Sequence, residues 1–179
     1  MIYWMNPLWF SAYNKAQVSQ IFLIAVTNTF LFPALSVFLI WKLGFMKSIE
    51  MMDAKERLIP FIAAGVFYIW AYVVLRKSGL PQILNVTVLG ATITLFAIFM
   101  LNLFWKVSIH TAAMGCWMII TLLMCFFTGG SYSLLLVAIV ILGGIIGSCR
   151  ILLKAHSVSE IFIGYFVGMM GMIVALRFY

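Results

Sequence analysis

The chain has 179 residues, of which 66% are hydrophobic and only 8% are charged. A soluble domain carries about 25% charged residues, so this chain cannot build a water-facing surface and lipid is its main solvent. The eleven Lys and Arg residues exceed the four acids and give a formal charge of +7. These cations lie at the ends of apolar stretches, which suits lipid headgroups or a bound anion and argues against nucleic-acid binding.

Apolar stretches about 20 residues long, the length that a membrane span needs, follow one another along the chain. Six qualify, at 18–41, 59–76, 86–105, 110–128, 132–150 and 158–176. No soluble domain or linker remains between them. We therefore predict an all-α bundle of six transmembrane helices that forms a single membrane domain over 1–179. The three cysteines show no CxxC spacing and indicate neither a disulfide framework nor a zinc ribbon.

Two features predict how the spans are shaped and packed. Pro33 follows the polar run Thr27-Asn28-Thr29 and predicts a kink in the first span. Small-xxx-small pairs occur in the last two spans, at Gly143 and Gly147 and at Gly164 and Gly168. Such pairs let helix backbones approach closely, and here they predict contact between the fifth and sixth spans.

Six spans place both chain termini on one side of the membrane, which we name side A. The loops 43–58, 106–109 and 151–157 then lie on the opposite side, named side B. Both histidines and all four acids fall in or beside the side-B loops. The polar chemistry is therefore concentrated at one membrane face.

The strongest candidate site is the segment from Arg150 to Glu160. On a helix, His156 and Glu160 would share a face at positions i and i+4. A carboxylate there fixes the imidazole tautomer and leaves the other ring nitrogen as a nucleophile. Arg150 offers a planar fork of donors that fits phosphate oxygens. The alternative is structural, because Ser157-x-x-Glu160 before an apolar run is also a capping box.

Two further groups lie at the same face. His110 could protonate a leaving alkoxide as a general acid, and Ser108 at a helix N-terminus suits an anion. Lys55 and Arg57, just before the second span, would add positive charge around a phosphoryl group. A helix-capping Ser108, an interfacial His110 and an interfacial charge cluster are the corresponding structural interpretations.

These three groups resemble, in family order, the motifs of the type 2 phosphatidic acid phosphatase superfamily. Arg150, His156 and Glu160 resemble its third motif, S-R-x5-H-x3-D, with Cys149 in place of Ser and Glu in place of Asp. Ser108 and His110 resemble the second motif, P-S-G-H, without its Pro and Gly. The positions of Lys55, Arg57 and Pro60 are similar to the first, K-x6-R-P, although the spacing differs.

The resemblance implies a metal-independent lipid phosphatase without a cofactor. His156, oriented by Glu160, would attack phosphorus, and His110 would protonate the leaving oxygen. Lys55, Arg57, Ser108 and Arg150 would bind the phosphate oxygens. The expected substrates are an undecaprenyl diphosphate, phosphatidic acid, phosphatidylglycerol phosphate or lipid A phosphate, which would enter sideways from the bilayer.

Family analogy implies a bacterial inner-membrane protein with side B facing the periplasm or exterior. The positive-inside rule points the other way, but it no longer decides if Lys55, Arg57 and Arg150 bind substrate. Three other functions stay open: a zinc enzyme using His110, His156 and Glu160, a lipid-binding or transport protein, and a lipid-to-lipid phosphotransferase.

Overall fold

A computed structural model describes residues 13–45, 58–78, 82–127 and 132–178. Within these ranges the chain folds into helices and contains no strand. The helices are α1 Lys15–Val26, a π-helical segment Thr27–Leu31, α2 Phe32–Lys42, α3 Leu58–Lys77, α4 Gln82–Asn102, α5 Ile109–Phe127, α6 Ser133–Leu152 and α7 Val158–Arg177.

Six helices of the described residues are long and apolar enough to cross a membrane, counting Lys15–Lys42 as one. The predicted all-α, six-span architecture is thus confirmed, and the chain has the construction of a multi-pass helical membrane protein. Large apolar side chains such as Phe30, Val66 and Phe166 are exposed on the outside of the bundle. Lipid tails are the solvent that such a surface needs.

The first span contains the predicted irregularity, in the form of a π-helical segment. The Phe32 N–H donates to the Thr27 carbonyl, five residues back, just before Pro33 removes a backbone donor. Asn28 and Thr29 donate from their side chains to the carbonyls of Ile24 and Ala25, at 2.8 Å each. Backbone groups near the irregularity therefore gain partners inside the membrane.

The packing of α5 against α7 determines how the bundle is assembled. A Cβ at Gly168 would overlap the carbonyl oxygen of Ala112, and one at Gly115 would overlap the carbonyl oxygen of Tyr165. The two backbones therefore approach as closely as only glycine permits. Ser108 donates its backbone N–H to the Glu160 carbonyl at 3.4 Å, so the two helices begin side by side and run parallel.

The Gly143–Gly147 pair makes the predicted contact with the sixth span, because Gly147 packs against Tyr165 of α7. The other pair packs differently from our prediction. Gly164 and Gly168 face Ser108, Thr111 and Ala112 at the start of α5 rather than the fifth span, α6. Gly143 of α6 meets Met118 of α5 and Tyr165 of α7, and the Tyr165 hydroxyl donates to the Gly143 carbonyl. The helix α6 packs mainly on α5 and touches α7 less. Small residues mark a close contact, but they do not specify its partner.

The third span is present, but its helix is shifted by three to four residues from the approximate limits 86–105. The helix α4 starts at Gln82 and ends at Asn102, although the apolar residues Leu103, Phe104 and Trp105 follow. The Asn102 side chain accepts a hydrogen bond from the Val107 N–H at 3.3 Å and closes this turn. Aromatic residues are common at the membrane interface. The apolar stretch of the sequence therefore extends beyond the end of the helix.

We predict that Gly168→Ala lowers the stability of the bundle by about 1–3 kcal/mol, because the added methyl group forces the α5 and α7 backbones apart. Thermal unfolding in detergent, followed by intrinsic fluorescence, measures the change. Gly144→Ala is the matched control, since nothing lies within 4 Å of a Cβ at Gly144. Equal melting temperatures for the Gly168 variant and the unmodified chain would contradict the close packing.

Candidate functional site

A tight turn after α6 holds Arg150 close to His156. The backbone N–H groups of Ala155 and His156 both donate to the Arg150 carbonyl, at 3.1 and 3.3 Å. Lys154 donates its N–H to the Ile151 carbonyl at 2.8 Å and has a positive φ of 51°. This is the hydrogen-bond pattern of a Schellman helix end, in which glycine usually takes the left-handed position. The turn fixes Arg150 and His156 to one piece of backbone.

The predicted pairing of His156 with Glu160 is present. The imidazole Nδ1 lies 2.7 Å from the Glu160 Oε2, and the His156 side chain is only 5% exposed. The geometry differs from the prediction in one respect: His156 lies one residue before the N-cap Ser157 and is not part of a helix face. The pair forms because the chain turns into α7 at that cap.

Glu160 also has the structural role that the sequence left open. Its Oε2 accepts the Ser157 N–H at 3.4 Å, and the Ser157 hydroxyl accepts the Glu160 N–H at 3.4 Å. These two bonds form the capping box of α7. One carboxylate oxygen therefore holds the helix start and the imidazole together, so orientation of His156 does not compete with capping.

Arg150 presents a donor that the described part of the chain does not satisfy. Its Nε is buried and has no hydrogen-bond partner within those residues. A buried guanidinium donor without a partner is costly, and burial strengthens its attraction for an anion. A phosphate oxygen is the kind of acceptor that would satisfy this donor. The three residues Arg150, His156 and Glu160 are thus brought together at the α6–α7 turn.

The start of α5 lies against the start of α7. Ser108 is fully buried, and its hydroxyl accepts the Thr111 N–H at 3.5 Å as a helix cap would. Thr111 in turn donates from its hydroxyl to the Ile161 carbonyl at 3.1 Å. Ser108 therefore has the capping role that we considered as its alternative, while phosphate binding by its hydroxyl stays a prediction.

His110 lies in the first turn of α5 and is exposed. Because α5 and α7 begin side by side, the backbones of both histidines lie at the same end of the bundle, the end that we assigned to side B. Lys55 and Arg57 lie outside the described residues. The helix that follows them, α3, begins at Leu58, and Phe61 in its first turn belongs to the same apolar cluster as Ile109.

Sequence analysis missed three residues that hold these elements in place: Asn102, Thr111 and Tyr165. Each is a polar residue inside or beside an apolar span, and each bonds to another segment or to the turn that precedes α5. A polar side chain within hydrocarbon must find a partner, and that was the available signal. Their partners, however, are backbone groups that only the fold reveals.

The zinc alternative finds no support among the described residues. They contain no group of three or more His, Cys, Asp and Glu side chains arranged to hold a metal ion. His110, His156 and Glu160 are all described, so this particular set does not converge as a His₂Glu zinc site would.

Comparison with protein-family models, with curated proteins and with solved structures gives no match to this chain. The similarity to the phosphatase superfamily consequently depends on the motif residues alone. The fold and the geometry of the site are observations of this chain alone and do not depend on that similarity.

We predict that Ser157→Ala lowers the stability of the bundle by about 1 kcal/mol, because it removes the acceptor that caps α7. Glu160→Gln is expected to stay close to the unmodified chain, since Gln also completes a capping box. Thermal unfolding of both variants in detergent makes the comparison. A greater loss in the Glu160 variant than in the Ser157 variant would contradict this expectation and would show that the carboxylate stabilises the bundle mainly through His156.

Proposed function

We propose that this protein hydrolyses a phosphate ester of a membrane lipid through a phosphohistidine formed on His156. The observation that carries the proposal is the 2.7 Å hydrogen bond between the His156 Nδ1 and Glu160. This bond holds the ring in one orientation and assigns the nucleophilic role to Nε2. The adjacent Arg150, whose buried Nε has no partner among the described residues, supplies charge for the phosphoryl oxygens.

The reaction proceeds in two displacements at phosphorus. Nε2 of His156 attacks, the bond from phosphorus to the lipid oxygen breaks, and His110 donates a proton to that oxygen as it leaves. His110 then accepts a proton from water. The water oxygen attacks phosphorus, the phosphorus–nitrogen bond breaks, and inorganic phosphate and free His156 are released.

The role of the cations is electrostatic. Charge builds on the equatorial oxygens of the phosphoryl group as it transfers, and fixed positive groups stabilise it without moving. Arg150 provides the best-defined of these groups, and we assign the same role to Lys55 and Arg57. The proposed chemistry involves no metal or cofactor.

Substrate access follows from the membrane setting. A lipid can bring its headgroup to the ends of α5 and α7 while its chains remain in the bilayer. We therefore propose a lipid phosphate or diphosphate of the undecaprenyl diphosphate, phosphatidic acid, phosphatidylglycerol phosphate or lipid A phosphate type. By the family resemblance, the protein would belong to the bacterial inner membrane, with the site facing the periplasm or exterior.

A second candidate is a lipid-binding or transport protein that lacks catalytic power. The specific observation in its favour is Ser108, which is fully buried and whose hydroxyl caps α5. One of the proposed phosphate ligands would then not reach the substrate. Transfer of the phosphoryl group to another lipid instead of water would use the same His156 chemistry.

We predict that the purified protein releases phosphate from at least one lipid phosphate in the presence of EDTA, and that His156→Ala abolishes this release. The reason is that the variant lacks the proposed nucleophile, so the phosphohistidine cannot form. A colorimetric phosphate assay over a panel of lipid phosphates in mixed micelles provides the measurement, with thermal unfolding as the check on folding. Full activity in a folded His156→Ala variant would exclude the phosphohistidine route.

We further predict that Glu160→Gln lowers the rate by about 10²–10⁴-fold, because the ring then loses the charged partner that orients it and stabilises its cationic form. Ser157→Ala removes the cap but leaves the carboxylate in place, so its rate is expected to stay within a few fold of the unmodified protein. Initial rates of phosphate release test both. A similar loss in the two variants would assign Glu160 a purely structural role.

A further inference from the structure

A groove runs into the membrane from the end of the bundle where α5 begins. It consists of two adjoining cavities of about 470 and 360 Å³ that share Thr29, Tyr68, Leu95 and Ile109 in their walls. Ligand pockets commonly measure 300–1,000 Å³. The walls come from the first four spans and are mostly apolar, so a hydrocarbon chain is the ligand that they suit.

The walls of the groove extend over more than one leaflet of the bilayer. They include Pro60 and Ile109 at the starts of α3 and α5, and Leu84 near the start of α4, at the opposite end of the bundle. Ile98 and Leu84, which both line the groove, are separated by about 21 Å along the axis of α4 at 1.5 Å per residue. This length exceeds half of a hydrocarbon core about 30 Å thick, so the groove reaches past the bilayer centre.

Tyr68 brings a polar group into this groove near the middle of the membrane. It lies about 15 Å along the helix axis from Leu58, the first residue of α3. Its hydroxyl makes no hydrogen bond to any residue in the ranges that the structure describes, and its side chain lines both cavities. An unsatisfied hydroxyl within hydrocarbon is unfavourable. A ligand that brings a hydrogen-bonding group to this depth would remove that cost.

The other hydroxyl and thiol groups in the walls already have partners. Thr29 donates to the Ala25 carbonyl at 2.8 Å, and Thr87 donates to the Ile83 carbonyl at 2.7 Å. Thr94 and Cys116 are hydrogen-bonded to each other at 3.3 Å. Among the described residues of the groove wall, Tyr68 is therefore the one with a hydroxyl left to offer to a ligand.

We infer that the groove binds a neutral lipid alcohol, with the alcohol hydroxyl paired to Tyr68. The inference rests on the proposed function, because loss of phosphate leaves a neutral lipid alcohol when the lipid monophosphate carries no other charged group, as in phosphatidic acid. A phosphate headgroup cannot enter the bilayer centre, so the substrate stays anchored at the end of the bundle. The alcohol has no charge and can sink along the groove once its hydroxyl finds a partner.

This assignment also narrows the substrate class. A lipid diphosphate would leave a lipid monophosphate, whose charge would hold it at the interface and away from Tyr68. An ordinary phospholipid chain could fill the groove but would leave the Tyr68 hydroxyl without a partner. The groove therefore favours a lipid monophosphate with no other charged group over a diphosphate, and over a phosphatidylglycerol phosphate or lipid A phosphate whose product stays anionic.

Trp117 lines the smaller of the two cavities, which we name the inner cavity, and its fluorescence provides a local probe. A variant that keeps Trp117 and replaces the other five of the six tryptophans with Phe (Trp4, Trp9, Trp41, Trp70 and Trp105) is reconstituted in nanodiscs of unlabelled phosphatidylcholine. Three chain-brominated quenchers are then compared: a long-chain alcohol, the matching hydrocarbon without the hydroxyl, and phosphatidylcholine. The alcohol is expected to quench Trp117 saturably at the lowest concentration of the three.

Tyr68→Phe is expected to weaken quenching by the alcohol about fivefold, the loss of one hydrogen bond, and to leave quenching by the hydrocarbon unchanged. Tyr72→Phe is the matched control, because Tyr72 lies one turn further along α3 and does not line either cavity. Ala91→Phe, which fills the inner cavity from α4, is expected to abolish quenching by the alcohol.

Equal quenching by the alcohol and the hydrocarbon would overturn the inference, as would full alcohol binding by a folded Tyr68→Phe variant. Quenching by brominated phosphatidylcholine as strong as that by the alcohol would assign the groove to bilayer lipid and overturn it as well. The assay reads binding and needs no turnover. Alcohol binding in a protein that releases no phosphate from any lipid would support the groove while the proposed hydrolysis fails.

Discussion

The close, parallel contact between α5 and α7 is the constraint on which the site depends. Gly115 and Gly168 leave no side chain between the two backbones, so the helices cannot slide or tilt far without collision. Because the two helices run parallel and begin together, residues just before or within their first turns lie at the same end of the bundle. His110 is carried there in the first turn of α5, and His156 in the turn just before the N-cap of α7.

The second element of the site is the α6–α7 turn, whose own residues form the hydrogen bonds that cap both helix ends. Arg150 closes the end of one helix with its carbonyl, while Glu160 closes the start of the next with its carboxylate. Backbone N–H and carbonyl groups at the two helix ends, which would otherwise need water, are thus paired within the turn. Such pairing is needed close to the hydrocarbon region, where water is scarce. The side chains of Arg150 and His156 are then positioned by backbone hydrogen bonds rather than by loose surface contacts, which limits the reorganisation that catalysis would demand.

How far the sequence predicts this arrangement depends on how local each interaction is. The six spans and the pairing of His156 with Glu160 were predictable, because apolar length and short spacing determine them. The end of α4 at Asn102 was not, since apolar residues continue past it. The partner of the Gly164–Gly168 pair was not predictable either. This pair packs on α5, where Ala112 and Gly115 present a surface of small residues. Contacts between spans depend on both surfaces at once.

The hydroxyl of Tyr68 and the Nε of Arg150 are donors that lack a partner at two different depths. Neither has an acceptor among the described residues. Near the end of the bundle the unpaired donor is a cation, and an anion is the partner that compensates its burial best. Near the middle of the membrane the unpaired donor is neutral, and only a neutral acceptor can reach it. In the reaction that we propose, a lipid phosphate would supply the first partner and, after losing its phosphate, the second, so one substrate and its product would account for both donors.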